Sequence, residues 1–141
     1  MTQQQQRDIG IAILRVSLGV IFIAHSAYLK LIVFGLPGTL AFFESLGIPA
    51  LVTYGVIAAE VLGGVALIVG FRTRWAAAAV LPVALGATWA HSGGGWLFSN
   101  DGGGWEYPLL LSVLSAVQIL VGGGAFTLEK PSGSAAQLSA A

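Results

Sequence analysis

Between Ala50 and Phe71 the chain carries a single charged side chain, Glu60, in a run that is otherwise almost entirely small or apolar. A helix crossing a hydrocarbon core of roughly 30 Å needs about 20 mostly apolar residues, and this run supplies them. Three further segments qualify: about Ile9 to Phe34; about Trp75 to His91, rich in Ala and interrupted by Pro82; and about Glu106 to Phe126. Proline inside the third removes a backbone donor and predicts a kink, whereas Pro108 lies in the first turn of the fourth, where a missing N–H costs least. Composition agrees: 56% of residues are hydrophobic and 9% charged, against about 25% charged in an ordinary soluble domain. A soluble fold so built would lack the polar surface to cover itself, so lipid is the expected solvent. Because an unpaired backbone group in lipid costs several kcal/mol, the expected fold is all-α, a four-helix transmembrane bundle. A cleaved signal peptide is the competing reading of the first segment. Its length, its internal Arg15 and the lack of a small-x-small cleavage site weigh against that.

Six basic and six acidic residues balance to a formal net charge of zero, so no basic field exists to hold nucleic acid. The absence of cysteine excludes a disulfide framework, thiol nucleophiles and Cys-ligated metal, and leaves the compartment undecided. Residues 1–8 and 130–141 read as disordered tails around a membrane domain at 9–129. Thr39 to Leu46, framed by Pro37, Gly38, Gly47 and Pro49, reads as a short helix, and Phe42 and Phe43 beside Glu44 predict that it lies at the bilayer surface. The glycine-rich connection before the fourth span, with Trp96, Phe98, Trp105 and Tyr107, reads as a loop in the headgroup layer. With four spans, both termini and the turn between spans two and three share one side, which carries Arg7, Arg72, Arg74 and Lys130. The other side sets Lys30 against Glu44, Asp101 and Glu106. The positive-inside rule then places both termini in the cytoplasm of a bacterial inner-membrane, multi-pass protein.

Charged groups inside such a bundle cost about 2.5–3.5 kcal/mol each on insertion scales, and they pair or mark function. The candidates are Arg15, His25, Lys30, Glu60, His91 and Glu106. At about 1.5 Å rise per residue Arg15 lies roughly 8 Å, and Glu60 roughly 15 Å, from the cytoplasmic edge, a gap that an extended Arg side chain spans. Gly19, Phe22 and Ser26 share the helical face of Arg15, and Thr53, Gly63 and Gly64 that of Glu60, which predicts close backbones and an Arg15–Glu60 pair. That pair reads either as a folding staple or as a site in which Glu60 is a proton acceptor or an anchor for a polar ligand head. Near the outer face, His25, His91 and Glu106 with Thr88, Ser112, Ser115 and Gln118 form a second polar group. Solvated helix ends and serines bonded to their own backbone would explain the same residues. Haem b would need two imidazoles at similar depth, and His25 and His91 differ by several ångströms, so haem is not expected. No metal site is expected either, and no phosphate loop, HExxH or GxSxG motif occurs. Gly122 to Gly124 read as loosening or ending the fourth span.

The runs LRVSLGVIFIAHSAYLKL, FFESLGIP, AEVLGGVALIVGFRTRWAA, WEYPLLL and VGGGAFTLE together resemble the DoxX family of small four-helix membrane proteins, over about Leu14 to Glu129. On that resemblance Arg15, Leu18, Gly19, His25, Glu60, Gly63, Gly64, Gly70, Arg74, His91, Glu106 and Tyr107 fall on motif positions. The family usually has Gly after the first-span His and Lys a few residues on; here Ser26 follows His25, and Lys30 comes one residue late. The resemblance implies a membrane subunit associated with a quinone-linked oxidoreductase, thiosulfate:quinone-like or of another redox complex, and leaves open whether this chain is itself catalytic. On this reading Glu60, His25 and His91 are the catalytic candidates, and Arg15, Ser26, Trp89, Glu106 and Tyr107 the ligand-binding ones. The cofactor is undetermined, a quinone being the one the resemblance implies. The expected partners are the lipid bilayer and an oxidoreductase subunit, with self-association open. The rival reading is a non-enzymatic scaffold or small-solute permease whose polar interior lines a route or docks a partner helix.

Overall fold

A computed structural model describes residues 1–128, and within them every regular element is helical. Helix α1 runs Gln3–Ile23 and continues without a break as a π-helical segment, Ala24–Val33. Its start lies earlier than expected. Thr2 Oγ1 accepts from the Gln5 amide at 3.2 Å while Gln5 Oε1 accepts from the Thr2 amide at 2.8 Å, a reciprocal cap that satisfies two otherwise orphaned donors. Residues 3–8 are therefore the first turns of α1 and not a loose tail, while 130–141 lie outside the described residues.

Helix α2, Gly35–Ser45, also starts before the expected Thr39, turning off the π-helical segment through Gly35 at φ 71°. Helix α3 spans Ala50–Val69 and stops at Gly70, whose φ of 73° is open to a residue without Cβ. Helix α4, Thr73–Ala90, contains Pro82, and α5, Glu106–Val121, has Pro108 in its first turn. α5 stops at Val121, short of the expected Phe126, because Gly122 at φ 78° and Gly124 at φ 66° turn the backbone out of the helix.

Helix α1 packs on α3, α3 on α4, α4 on α5 and α5 back on α1, closing a ring of neighbours, while α2 packs on the π-helical segment and α3. Leu18, Phe22, Leu67, Ala77, Val80, Ala84 and Leu111 form the apolar centre. α1 and α3 approach most closely where Gly19 meets Gly64: a Cβ on Gly19 would stand 2.6 Å from the Gly64 carbonyl oxygen. Small residues at this crossing are thus a steric requirement.

Burial is inverted relative to a water-soluble domain. Arg15, Ser26, Thr53, Glu60, Thr73, Ser115 and Gln118 are at most 3% exposed, whereas Leu51, Trp75, Leu120, Ile32 and Leu62 are 70–82% exposed. Two helical stretches, Gln3–Val33 and Ala50–Val69, are long and apolar enough to cross a membrane, with mean hydropathies of 1.9 and 2.0. α5 is apolar, but its 16 residues rise only about 24 Å, short of a full hydrocarbon core.

Candidate functional site

The two buried ends of the expected ion pair belong to different places. Glu60 pairs with Lys30, whose Nζ donates to Oε1 at 2.8 Å and to Oε2 at 2.7 Å. Arg15 instead reaches the C-terminus of α3, where Nη1 donates to the carbonyls of Leu67 at 2.9 Å and Ile68 at 3.3 Å. Its Nη2 donates to Ala125 and Phe126 at 3.1 and 3.0 Å. The last carbonyls of a helix lack intrahelical donors and carry the negative end of its dipole, so they match a guanidinium well. The expected Arg15–Glu60 staple is accordingly replaced by two separate devices, one at each end of the ring.

The register explains the separation. With Gly19 opposite Gly64 on antiparallel helices, Arg15 falls opposite Ile68 and Glu60 falls opposite Ile23. Glu60 is thus about 12 Å along the axis from Arg15. Lys30 is brought round by the π-helical segment. In an α-helix His25 and Lys30, five apart, would point about 140° from each other; π-helical bonding links positions five apart and stacks them on one side. The late position of Lys30 in the sequence is absorbed by this wider turn. Ser26 pins the segment to α3 by donating to the Ile57 carbonyl at 3.2 Å, and Thr39 of α2 donates to the Lys30 carbonyl at 2.8 Å.

Lys30 and Glu60 open into a cavity of about 550 Å³, within the range of small-molecule sites. His25, His91 and Tyr107 also line it. The His25 ring stacks on Tyr107 with centroids 5.8 Å apart and planes 26° apart, and its Nδ1 lies 3.0 Å from the Ile21 carbonyl. His91 Nδ1 lies 3.0 Å from the Gly102 carbonyl. Apolar walls come from Phe22, Phe42, Phe43, Val56 and Leu111. Phe42 and Phe43 therefore turn toward the cavity from α2, which covers one side of it. The exposed wall residues Phe42 on α2, Val52 on α3, Trp89 on α4 and Phe98 in the loop before α5 are all apolar.

Of the predicted site residues, the cavity gathers Glu60, His25, His91, Tyr107 and, at its rim, Trp89. Arg15 is at the opposite end. Ser26 is fully buried against α3, and Glu106 turns to the loop, where Oε1 accepts from the Phe98 amide at 2.9 Å. Ser112 donates to its own helix at the Pro108 carbonyl, as the bland reading of that stripe anticipates. Lys30, which the sequence analysis left out of the candidate site, lines the cavity as the partner of Glu60. The facing glycines of the first two spans were the signal that would have placed Glu60 above Arg15 and left Lys30 as the cation on its side.

A helical protein with an inverted surface and a charged, aromatic-walled cavity belongs among membrane proteins, and its sequence similarity names the kind. Residues 10–93 match the family model for DoxX, and the chain belongs to the DoxX family of membrane proteins. A Bacillus subtilis (strain 168) protein described as "Putative oxidoreductase CatD" is 39% identical over 67 residues, covering 48% of each chain. The match thus spans about half the length of that relative. No solved structure matches the chain.

Proposed function

We propose that the chain is a multi-pass subunit of the bacterial cytoplasmic membrane, a four-helix bundle with both termini inside, that holds a quinone or similar lipid-soluble carrier for a partner oxidoreductase. The observation that carries this reading is the Lys30–Glu60 pair, with side chains 16% and 5% exposed, set in a largely apolar cavity beside His25 and Tyr107. A buried ion pair is weak evidence of stability design and better evidence of a site, because apolar residues would fill the space at less cost. Exposed wall residues that are apolar suit a carrier that arrives from the bilayer. Ring-carrier chemistry needs protons delivered in low dielectric, and here Glu60 and His25 hold and move them while Lys30 keeps the carboxylate in place. The resemblance of half the chain to a protein described as an oxidoreductase points the same way. Against the permease reading stands the packed centre of Leu18, Leu67, Val80 and Leu111, which separates the cavity from the Arg15 end.

The test is Glu60→Gln in the full chain, reconstituted in nanodiscs with a short-chain ubiquinone and assayed with membranes that supply the partner. Quinone binding and quinone-linked turnover should be lost while circular dichroism and thermal unfolding remain those of a folded helical protein. Retention of both would refute the reading.

A further inference from the structure

We propose that the cavity holds the reduced, hydroxyl-bearing form of an aromatic ring ligand in preference to its oxidised, carbonyl form. The inference rests on the quinone-carrier reading and goes beyond it by stating which form the site is built for. A backbone carbonyl can only accept a hydrogen bond, so Nδ1 of His25, 3.0 Å from the Ile21 carbonyl, carries the proton. Nδ1 of His91, 3.0 Å from the Gly102 carbonyl, does the same. In the neutral rings each Nε2 is then left with a lone pair to offer, the same logic by which a second partner sets the tautomer of a metal-bound histidine. Among the described residues Glu60 is the one carboxylate lining the cavity, and both its oxygens accept from Lys30.

The polar inventory of the wall is therefore rich in acceptors. Two of the three N–H groups of Lys30 are spent on Glu60, the carboxylate accepts, both Nε2 atoms accept, and Tyr107 Oη both donates and accepts. A quinone brings carbonyl oxygens alone, which find donors only in the third Lys30 N–H and the Tyr107 hydroxyl and would set lone pair against lone pair at the histidines. A hydroquinone or catechol brings O–H donors that meet those acceptors. The Tyr107 stack fixes the plane of His25, so its acceptor direction is held before the ligand arrives.

The test uses the full chain in nanodiscs, titrated anaerobically by calorimetry with trimethylhydroquinone and, separately, trimethylbenzoquinone. The hydroquinone should bind roughly tenfold more tightly, the ratio expected for about one well-made hydrogen bond against one unmade. His25→Phe keeps a ring to stack on Tyr107 but removes the acceptor. It should weaken hydroquinone binding several-fold and quinone binding by less, with circular dichroism reporting an intact fold; His91→Phe serves the same purpose should the first variant not fold. Equal binding of both forms, tighter binding of the quinone, or an equal loss of both in His25→Phe would overturn the inference while leaving the carrier reading standing. Binding of neither form would overturn both.

Discussion

Replacing Lys30 with methionine isolates the contribution of the cavity's ion pair. At 2.7 Å the attraction between ammonium and carboxylate is about 6 kcal/mol for an effective dielectric of about 20, and much of it offsets the desolvation of the two groups. The net value of the pair is therefore small, but breaking it is not. The Lys30→Met variant would leave Glu60, 3% exposed, as an uncompensated buried carboxylate, at a cost of about 3–5 kcal/mol. Glu60→Gln should cost only about 1–3 kcal/mol, because the amide still accepts from Lys30 and the long Lys stem lets its charge move toward the opening. The double variant, relieved of the stranded charge, should be little worse than Glu60→Gln alone, giving a coupling of about 2–3 kcal/mol. The assay is reversible unfolding in mixed detergent micelles, run as a double-mutant cycle, with Arg15→Met and Glu60→Gln as a control cycle that should be additive within about 0.5 kcal/mol. Additivity in the Lys30 cycle, or coupling of similar size in the Arg15 cycle, would refute the assignment of partners.

Arg15→Met removes donors to four carbonyls at the end of α3 and after α5, and should lower stability by about 3 kcal/mol while leaving ring-ligand affinity within about twofold; the same unfolding and titration assays read both quantities. Gly64→Leu places a side chain where a Cβ alone would stand 2.9 Å from the Gly19 carbonyl oxygen. It should separate α1 from α3 at a cost of about 1–3 kcal/mol, seen as a lower unfolding midpoint, whereas Gly55→Ala, with open space around it, should be silent.

Much of the helical layout was legible because apolar length and Gly/Pro punctuation are local signals. Ala50–Val69 and the Pro108 start of α5 needed nothing beyond them. The true partners of Arg15 and Glu60 were not legible, for two physical reasons. A guanidinium in lipid suggested a carboxylate partner, whereas the bare carbonyls beside Gly70 and the turn after α5 satisfy it equally well. Projecting the first span at 100° per residue also assumed an α-helix throughout, and the π-helical turns from Ala24 onward change which residues share a face. That change carries Lys30 into the cavity. Whether His25 and His91 meet depended on the relative height of two helices and on a loop that bends back through the Trp105 amide to the Gly95 carbonyl, none of which periodicity encodes.

The clasp between Arg15 and the carbonyls of Ala125 and Phe126 joins positions 110 and 111 residues apart. At about 5–20 residues per second a ribosome needs roughly 5–20 s between making the first half of that clasp and making the second. During that interval the opening helix sits in the bilayer with its guanidinium only half seated. A nascent chain halted before Ala125 would lack two of the four carbonyls that receive that guanidinium.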